Sequence, residues 1–158
     1  MDAIEIADVD GKPGEEILVA GENRHEGKAS VVILDPGKLA ALPANRPAVI
    51  EDNPGGAELA VLFFPRTRLN LQLEEINHVN RVHWTQEALE VQVQEARVQR
   101  PSSDLNYVFD RSLNLKGIYP WDTIRSSYKE VFGSPEAGTR LFEEDLERMR
   151  REVVVKWR

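Results

Sequence analysis

Cysteine is absent from the chain, which has 158 residues. This absence excludes a disulfide framework, a thiolate zinc site and a cysteine nucleophile. Long hydrophobic runs are missing as well, because apolar stretches such as residues 59–65 and 153–155 are far shorter than the roughly 18 residues of a membrane-spanning helix. We therefore expect no insertion into a membrane.

Positive charge is scarce: 20 Lys and Arg residues face 27 Asp and Glu residues, and the net charge is -7. Nucleic-acid-binding proteins hold phosphate backbones with clustered Lys and Arg, so no nucleic-acid partner is expected. The chain opens with Met1-Asp2-Ala3-Ile4-Glu5 instead of a positive segment and an apolar run. We therefore expect no secretory signal peptide in it, which favours either a cytoplasmic protein or an internal piece of a longer chain.

Signatures of the common enzyme classes are also missing. The sequence has no Gly-x-Ser-x-Gly elbow, no Gly-x-x-x-x-Gly-Lys-Ser/Thr phosphate loop and no His-Glu-x-x-His zinc motif. His78 and His83 are five residues apart, which places them on opposite faces of a strand rather than together as metal ligands. We expect no catalytic residues and no organic cofactor, which favours a protein that is not an enzyme.

Short apolar, β-branched runs between polar and glycine-rich segments predict a mainly β fold. The clearest is Leu89-Glu90-Val91-Gln92-Val93, in which apolar and polar residues alternate. We expect a β-meander or a propeller-like sheet. It would contain about nine strands, near residues 3–8, 17–20, 29–34, 59–64, 69–73, 79–84, 89–93, 105–109 and 113–118.

Two C-terminal helices are predicted after Pro120, which makes the overall fold class α+β. Asp122 is expected to cap the first helix and Gly133 to follow its end. Ser134 and Pro135 are typical of the start of a second helix. The apolar stripe of that helix comprises Phe142, Leu146, Met149 and Val153.

The sequence is divided into a β-rich domain over residues 1–120 and a helical segment over residues 121–158 that packs on the sheet. Within the first part, residues 36–57 are predicted to form a long loop without regular structure. Loops of this length are usually functional or mobile. The prediction is based on Pro36, Gly37, Pro43, Pro47, Pro54, Gly55 and Gly56.

An acidic segment near the start of the chain is the most informative part of the sequence. Asp8 and Asp10 alternate with apolar residues, Gly11 follows, and Glu16 precedes an apolar strand. This is how a short loop arranges several oxygens around a hard cation such as Ca2+. Without a metal, the same aspartates are expected to accept hydrogen bonds from backbone N–H groups of a tight turn.

These residues, followed by Ile17-Leu18-Val19-Ala20-Gly21, resemble the FG-GAP or VCBS repeat of integrin-α-like β-propellers. The calcium loop of that repeat has the form Asp-x-Asp-Gly-Asp-Gly-x-x-Asp/Glu and leads into an apolar strand. The strong similarity covers about fourteen residues. The remainder is loosely similar to bacterial FG-GAP proteins of unknown function with a terminal helix.

The resemblance implies a Ca2+ site formed by Asp8, Asp10 and Glu16 and an extracytoplasmic location. The chain departs from the family pattern where Lys12 replaces the third acid and Pro13 replaces a glycine. Because Ca2+ affinity depends largely on the number of charged ligands, we expect a degenerate site with a dissociation constant on the order of millimolar or weaker.

The chain does not have enough repeats for a propeller. A propeller needs at least four blades, and the Asp-x-Asp-Gly pattern occurs once in this sequence. Three explanations remain: the terminal part of a longer propeller protein, a stand-alone β-rich domain, or a sheet completed by oligomerisation through edge strands. We favour the stand-alone domain with C-terminal helices.

Aromatic residues are concentrated in the second half of the chain, where they are expected to form the core between the helices and the sheet. Six of them fall within residues 107–132: Tyr107, Phe109, Tyr119, Trp121, Tyr128 and Phe132. An alternative is an exposed platform at the sheet end that binds a protein or carbohydrate, with Tyr119 and Trp121 as anchors and His25 at its rim.

The leading functional hypothesis is a non-catalytic binding module with a degenerate calcium loop. One alternative is a metal-dependent hydrolase in which Asp8, Asp10 and Glu16 hold a divalent ion that activates water. The other is a structural assembly element that acts through the apolar stripe of the C-terminal helix.

Overall fold

The computed structural model describes residues 4–12, 14–21, 28–40, 56–75, 77–95, 104–120 and 122–157. These residues form nine strands and four helices, and the strands are arranged in two antiparallel sheets. The prediction of a mainly β fold is therefore confirmed. Within the described residues neither sheet closes into a barrel or a propeller.

The first sheet contains the N-terminal strands and the last strand of the chain. Its strand order is β1-β2-β3-β4-β9, and all neighbours are antiparallel. The meander predicted for the first three strands is confirmed. The strands are β1 (Ile4–Ala7), β2 (Glu16–Gly21), β3 (Ala29–Leu34), β4 (Glu58–Phe64) and β9 (Val154–Trp157).

The second sheet is a four-stranded antiparallel meander in chain order. In its second strand Leu89, Val91 and Val93 are buried while the residues between them are half-buried, as the alternating sequence predicts. The strands are β5 (His78–Trp84), β6 (Leu89–Gln94), β7 (Asp104–Phe109) and β8 (Leu115–Pro120).

The two predicted C-terminal helices are present as α3 (Asp122–Val131) and α4 (Pro135–Glu152). The hydroxyl of Ser134 accepts a hydrogen bond from the backbone N–H of Ala137 at 3.1 Å, so Ser134 caps α4 as predicted. Asp122 is the first residue of α3 rather than the residue before it. None of the helices described is long and apolar enough to cross a membrane.

Two further helices were not predicted. The strand predicted at residues 69–73 is instead α2 (Arg68–Gln72), with Thr67 at its N-cap. Leu69 and Leu73 are four residues apart, so they share a face on a helix as well as on a strand, and the Thr67 cap favours the helix.

The predicted loop at residues 36–57 also begins with a helix, α1 (Pro36–Ala40). The carboxylate of Asp35 accepts hydrogen bonds from the backbone N–H groups of Gly37 at 2.9 Å and Lys38 at 3.3 Å, which explains why a short turn of helix starts there. Residues 41–55 lie outside the described residues.

The end of the chain also differs from the prediction of an uninterrupted helical segment. Helix α4 ends at Glu152, Val153 is extended, and β9 pairs with β4. The physical reason is the run Val153-Val154-Val155, because β-branched side chains favour strands. The predicted number of strands agrees with the structure because the missed strand β9 offsets the wrong strand at residues 69–73.

The hydrophobic core is continuous from both sheets to α3 and α4. The rings of Phe64 and Tyr107 lie 4.8 Å apart and join the two sheets, while the rings of Tyr128 and Phe142 lie 5.1 Å apart and join the two helices. The predicted aromatic core is thus confirmed for Tyr107 and Tyr128, whereas Tyr119 is exposed.

Candidate metal site

The acidic segment forms the connection between β1 and β2. Ala7 pairs with Glu16 in the antiparallel register, so the ends of the connection are held side by side. Asp8 and Asp10 are exposed, whereas Glu16 is 5% exposed at the start of β2. The short connection therefore brings the three predicted ligand residues together.

The three carboxylates hold the turn by accepting backbone hydrogen bonds. Glu16 Oε1 accepts from the N–H groups of Val9 at 2.8 Å and Asp10 at 3.2 Å. Asp8 Oδ1 accepts from Gly11 N–H, and Asp10 Oδ1 accepts from Lys12 N–H, both at 2.9 Å. The turn is therefore ordered by its own side chains, as expected for such residues without a metal.

The same carboxylates have the spacing that a cation requires. Asp8, Asp10 and Glu16 each offer an oxygen, and these oxygens lie within 4.8 Å of one another. Ca2+ binds oxygen at about 2.3–2.6 Å, so oxygens on opposite sides of the ion are about 4.6–5.2 Å apart. Among the described residues, no hydrogen bond engages the second oxygen of any of these carboxylates.

Lys12, which departs from the family pattern, does not prevent the turn from forming. Gly11 has a φ of 73° with open space around its α-carbon, a conformation that glycine adopts without strain. Lys12 contributes its backbone N–H to the turn, and its side chain is exposed. Pro13 lies outside the described residues. A hard cation therefore fits the donor set, with Lys12 as a positive charge close to it.

A second positive charge reaches the loop from the other sheet. Arg111, between β7 and β8, donates from Nη2 to the carbonyl oxygen of Asp8 at 3.4 Å and from Nη1 to that of Gln86 at 3.0 Å. Its guanidinium carbon lies 4.9 Å from the centre of the Trp84 ring. This placement reduces the attraction of the loop for a cation.

His83 lies near this loop but does not point to a metal. Its Nδ1 atom lies 3.0 Å from Glu5 Oε2, which also accepts a hydrogen bond from Trp84 N–H at 3.2 Å. Burial opposes ionisation of Glu5, but the hydrogen bonds from Trp84 and His83 outweigh it and lower the pKa of this carboxyl group. His78 begins β5 at its opposite end, so the histidines do not come together.

The predicted binding rim is described only at Tyr119, whose side chain on β8 is 58% exposed. His25 and Trp121 lie outside the described residues. In the part of the chain that the structure describes, the loop carboxylates are the one group of three or more acidic or histidine side chains close enough to share a metal.

Sequence reasoning missed a buried polar cluster centred on Glu95, which is 1% exposed. The alternation of Leu89, Val91 and Val93 continues to this residue, so the pattern already places it on the buried face of the second sheet. The sequence feature that could have revealed the cluster is therefore an acidic residue at a position where the alternation predicts a buried apolar one.

Comparisons with protein-family models, curated proteins and solved structures found no match to this chain. The similarity to FG-GAP repeats therefore depends on residues 6–20 alone.

Proposed function

We propose that this chain is a non-catalytic binding module whose β1–β2 loop binds Ca2+ weakly. The observation that carries the proposal is the convergence of Asp8, Asp10 and Glu16, whose oxygens have the spacing of ligands around one cation. The loop is ordered before any ion binds, because each carboxylate also accepts backbone hydrogen bonds. Ca2+ binding therefore costs little conformational entropy, because the loop does not have to be ordered by the ion.

Calcium is favoured over magnesium by the character of the donors. Mg2+ requires a near-ideal octahedron, whereas Ca2+ accepts irregular sets of six to eight oxygens that include carbonyls and water. Three carboxylates with Lys12 and Arg111 nearby correspond to the weak end of the calcium range. Millimolar sites are typical of extracellular modules, which supports the extracytoplasmic location implied by the resemblance.

A metal-dependent hydrolase has less support from the same geometry. The Glu16 carboxylate is buried and accepts two backbone hydrogen bonds, so it is poorly placed to move a proton from a bound water.

An assembly element that acts through the C-terminal helix also has little support. Phe142, Leu146 and Met149 are 1%, 6% and 1% exposed, so its apolar stripe packs inside this chain.

The proposal is tested by thermal unfolding of metal-stripped protein with about 5 mM CaCl2 or MgCl2. With a dissociation constant of about 1 mM, Ca2+ adds about 1 kcal/mol of stability, which raises Tm by about 2–4 °C. We expect Tm to rise with CaCl2 but not with MgCl2. The rise should be lost in the double variant Asp8→Asn, Asp10→Asn.

A matched control is Asp110→Asn in the β7–β8 turn. Asp110 Oδ1 accepts hydrogen bonds from the N–H groups of Ser112 and Asn114, both at 2.9 Å, much as the loop aspartates do. This variant should lose stability but keep its response to Ca2+. Equal shifts with both salts, or no shift in the wild-type protein, would contradict the proposal.

A further inference from the structure

The carboxyl group of Glu95 occupies the junction between the second sheet and α2. It follows β6 directly, and its side chain is buried with an exposure of 1%. Oε2 accepts a hydrogen bond from the Thr67 hydroxyl at 3.2 Å and another from the Asn70 side-chain amide. Both partners belong to α2 or its cap, so Glu95 attaches this helix to the sheet.

The second oxygen of Glu95 is buried and has no hydrogen-bond partner among the described residues. The side-chain oxygen of Asn70 and the hydroxyl of Tyr107 on β7 are also buried without partners. Within the described part of the chain, no ion pair joins a guanidinium to Glu95. An ionised carboxylate here would be poorly compensated, and burying such a charge is costly.

The arginines near this junction are engaged elsewhere. Arg148 on α4 lies 3.3 Å from Asp145 Oδ1 and also donates to the carbonyl oxygen of Arg66 at 2.7 Å. The Arg68 Nε atom lies 3.6 Å from Asp145, and Arg66 donates to the carbonyl oxygen of Glu75 at 2.5 Å. The charges of Arg148 and Arg68 balance Asp145, which itself disfavours a second negative charge at Glu95. The Nε atom of Arg66 is buried and has no hydrogen-bond partner among the described residues.

The electrostatics agree with this geometry. Burial, together with the nearby charge of Asp145, raises the pKa of Glu95 to about 8, although hydrogen bonds from Thr67, Asn70 and Asn77 act to lower it. Burial also raises the pKa of Tyr107, which therefore stays neutral beside Glu95. The Tyr128 hydroxyl on α3 donates to Asp145 Oδ2 at 2.5 Å and also stays neutral.

The network extends from Glu95 to both long helices. Asp145 on α4 accepts a hydrogen bond from the backbone N–H of Arg68 on α2 at 2.8 Å and another from the hydroxyl of Tyr128 on α3. Thr67 and Asn70 connect the other side of α2 to Glu95. Helix α2 therefore has a polar contact with Glu95 on one side and with Asp145 on the other, while α3 and α4 also pack directly on β7 and β8.

We propose that the protonated carboxyl group of Glu95 is a proton-dependent lock that holds α2 against the end of β6. When the proton leaves for solvent, an uncompensated anion faces Asp145. The structure relieves this by opening at α2, which admits water to the carboxylate. The lock is independent of the metal loop, which lies between β1 and β2.

Hydrogen exchange of the α2 amides tests the lock. The reporters are the N–H groups of Leu71 and Leu73, which donate to the carbonyl oxygens of Thr67 and Leu69, both at 3.1 Å. Amide exchange gives the opening constant, which is the equilibrium constant between the closed and the open state of α2. If opening releases the proton of Glu95, this constant rises about tenfold per pH unit from about pH 5 and levels off above about pH 8. Global unfolding also exposes Glu95, so amides of β3, in the first sheet, should share this slope, but their opening constants should stay well below those of α2 at every pH.

Two variants separate the lock from general effects of pH. Glu95→Gln keeps the shape and stays neutral, so its opening constant should not depend on pH. Glu144→Gln is the matched control, because Glu144 is an exposed acid that contacts Arg68 Nη1 at 2.6 Å across the same helices. It should keep the tenfold slope. The same slope in Glu95→Gln, or opening constants in α2 no larger than those in β3, would overturn the proposal.

A measurement on the wild-type protein decides the matter if Glu95→Gln does not fold. A titration of 13C-labelled glutamate side chains by NMR should show one carboxyl group with a midpoint above about pH 7. If every glutamate of the folded protein titrates below about pH 6, Glu95 carries no proton at neutral pH and there is no lock.

Discussion

The guanidinium of Arg111 donates a hydrogen bond to the carbonyl oxygen of Asp8 at 3.4 Å, so the second sheet places a positive charge beside the candidate metal loop of the first. The same guanidinium is held by the carbonyl oxygen of Gln86 and lies over the ring of Trp84. Its position is thus fixed by three contacts, and its effect on the loop can be measured.

Removal of this charge should strengthen calcium binding. We expect Arg111→Gln to lower the Ca2+ dissociation constant roughly two- to fivefold, because Arg111 is exposed and solvent screens its charge. Arg111→Lys keeps the charge and should stay close to the wild-type value. The measurement is a Ca2+ titration followed by the NMR shift of the Gly11 amide, and equal affinities in both variants would contradict the prediction.

The stability of the protein should depend on pH through Glu95. The folded pKa of about 8 lies above the ordinary value of 4.5, so this group stabilises the fold most below pH 4.5 and loses that contribution as pH rises to about 8. The loss is up to about 1.4 kcal/mol per pH unit. In urea unfolding at pH 5, 6.5 and 8, the free energy of unfolding of Glu95→Gln should therefore increase relative to that of the wild-type protein as pH rises. A difference that does not change with pH would count against a raised pKa.

Helices α3 and α4 approach each other closely at Gly138. A Cβ atom there would lie 2.5 Å from the α-carbon and 2.6 Å from the backbone nitrogen of Lys129, and backbone atoms cannot move aside cheaply. Gly138→Ala should lower the free energy of unfolding by about 2–3 kcal/mol. The control Gly133→Ala has a φ of 81° but no clash, and should cost about 1 kcal/mol in the same urea experiment.

Asp145 should matter far more to stability than its neighbour Glu144. Asp145 is fully buried and accepts hydrogen bonds from Arg68, Tyr128 and Arg148, so Asp145→Asn removes the buried negative charge that these three donors share. We expect a loss of about 2–4 kcal/mol. Glu144→Gln removes an exposed ion pair and should cost less than about 1 kcal/mol in urea unfolding. Similar losses in both variants would contradict the assigned roles.

Local sequence patterns correctly predicted those elements that are determined by residues close together in the chain. The alternation in β6 and the capping residues Ser134 and Pro135 gave correct assignments, since period and capping are local properties. The residues of the acidic loop could be grouped for the same reason, because a single antiparallel register joins Ala7 to Glu16.

The rest depended on contacts between distant parts of the chain. Leu69 and Leu73 satisfy both helical and strand periodicity, and the contact between Arg68 and Asp145 is among those that hold this segment as a helix. The cluster around Glu95 joins Thr67 and Asn70 from another element. No local pattern encodes which buried acid meets which distant donor.

The pairing of β4 with β9 has a consequence for biosynthesis. Phe63 pairs with Val154, so the first sheet is completed by residues that leave the ribosome after both sheets' other strands and all four helices have been made. Until then β4 presents a row of unpaired N–H and C=O groups along one edge, and such edges template association with other chains. The nascent protein is therefore exposed to misassembly along β4 until the residues of β9 have been made.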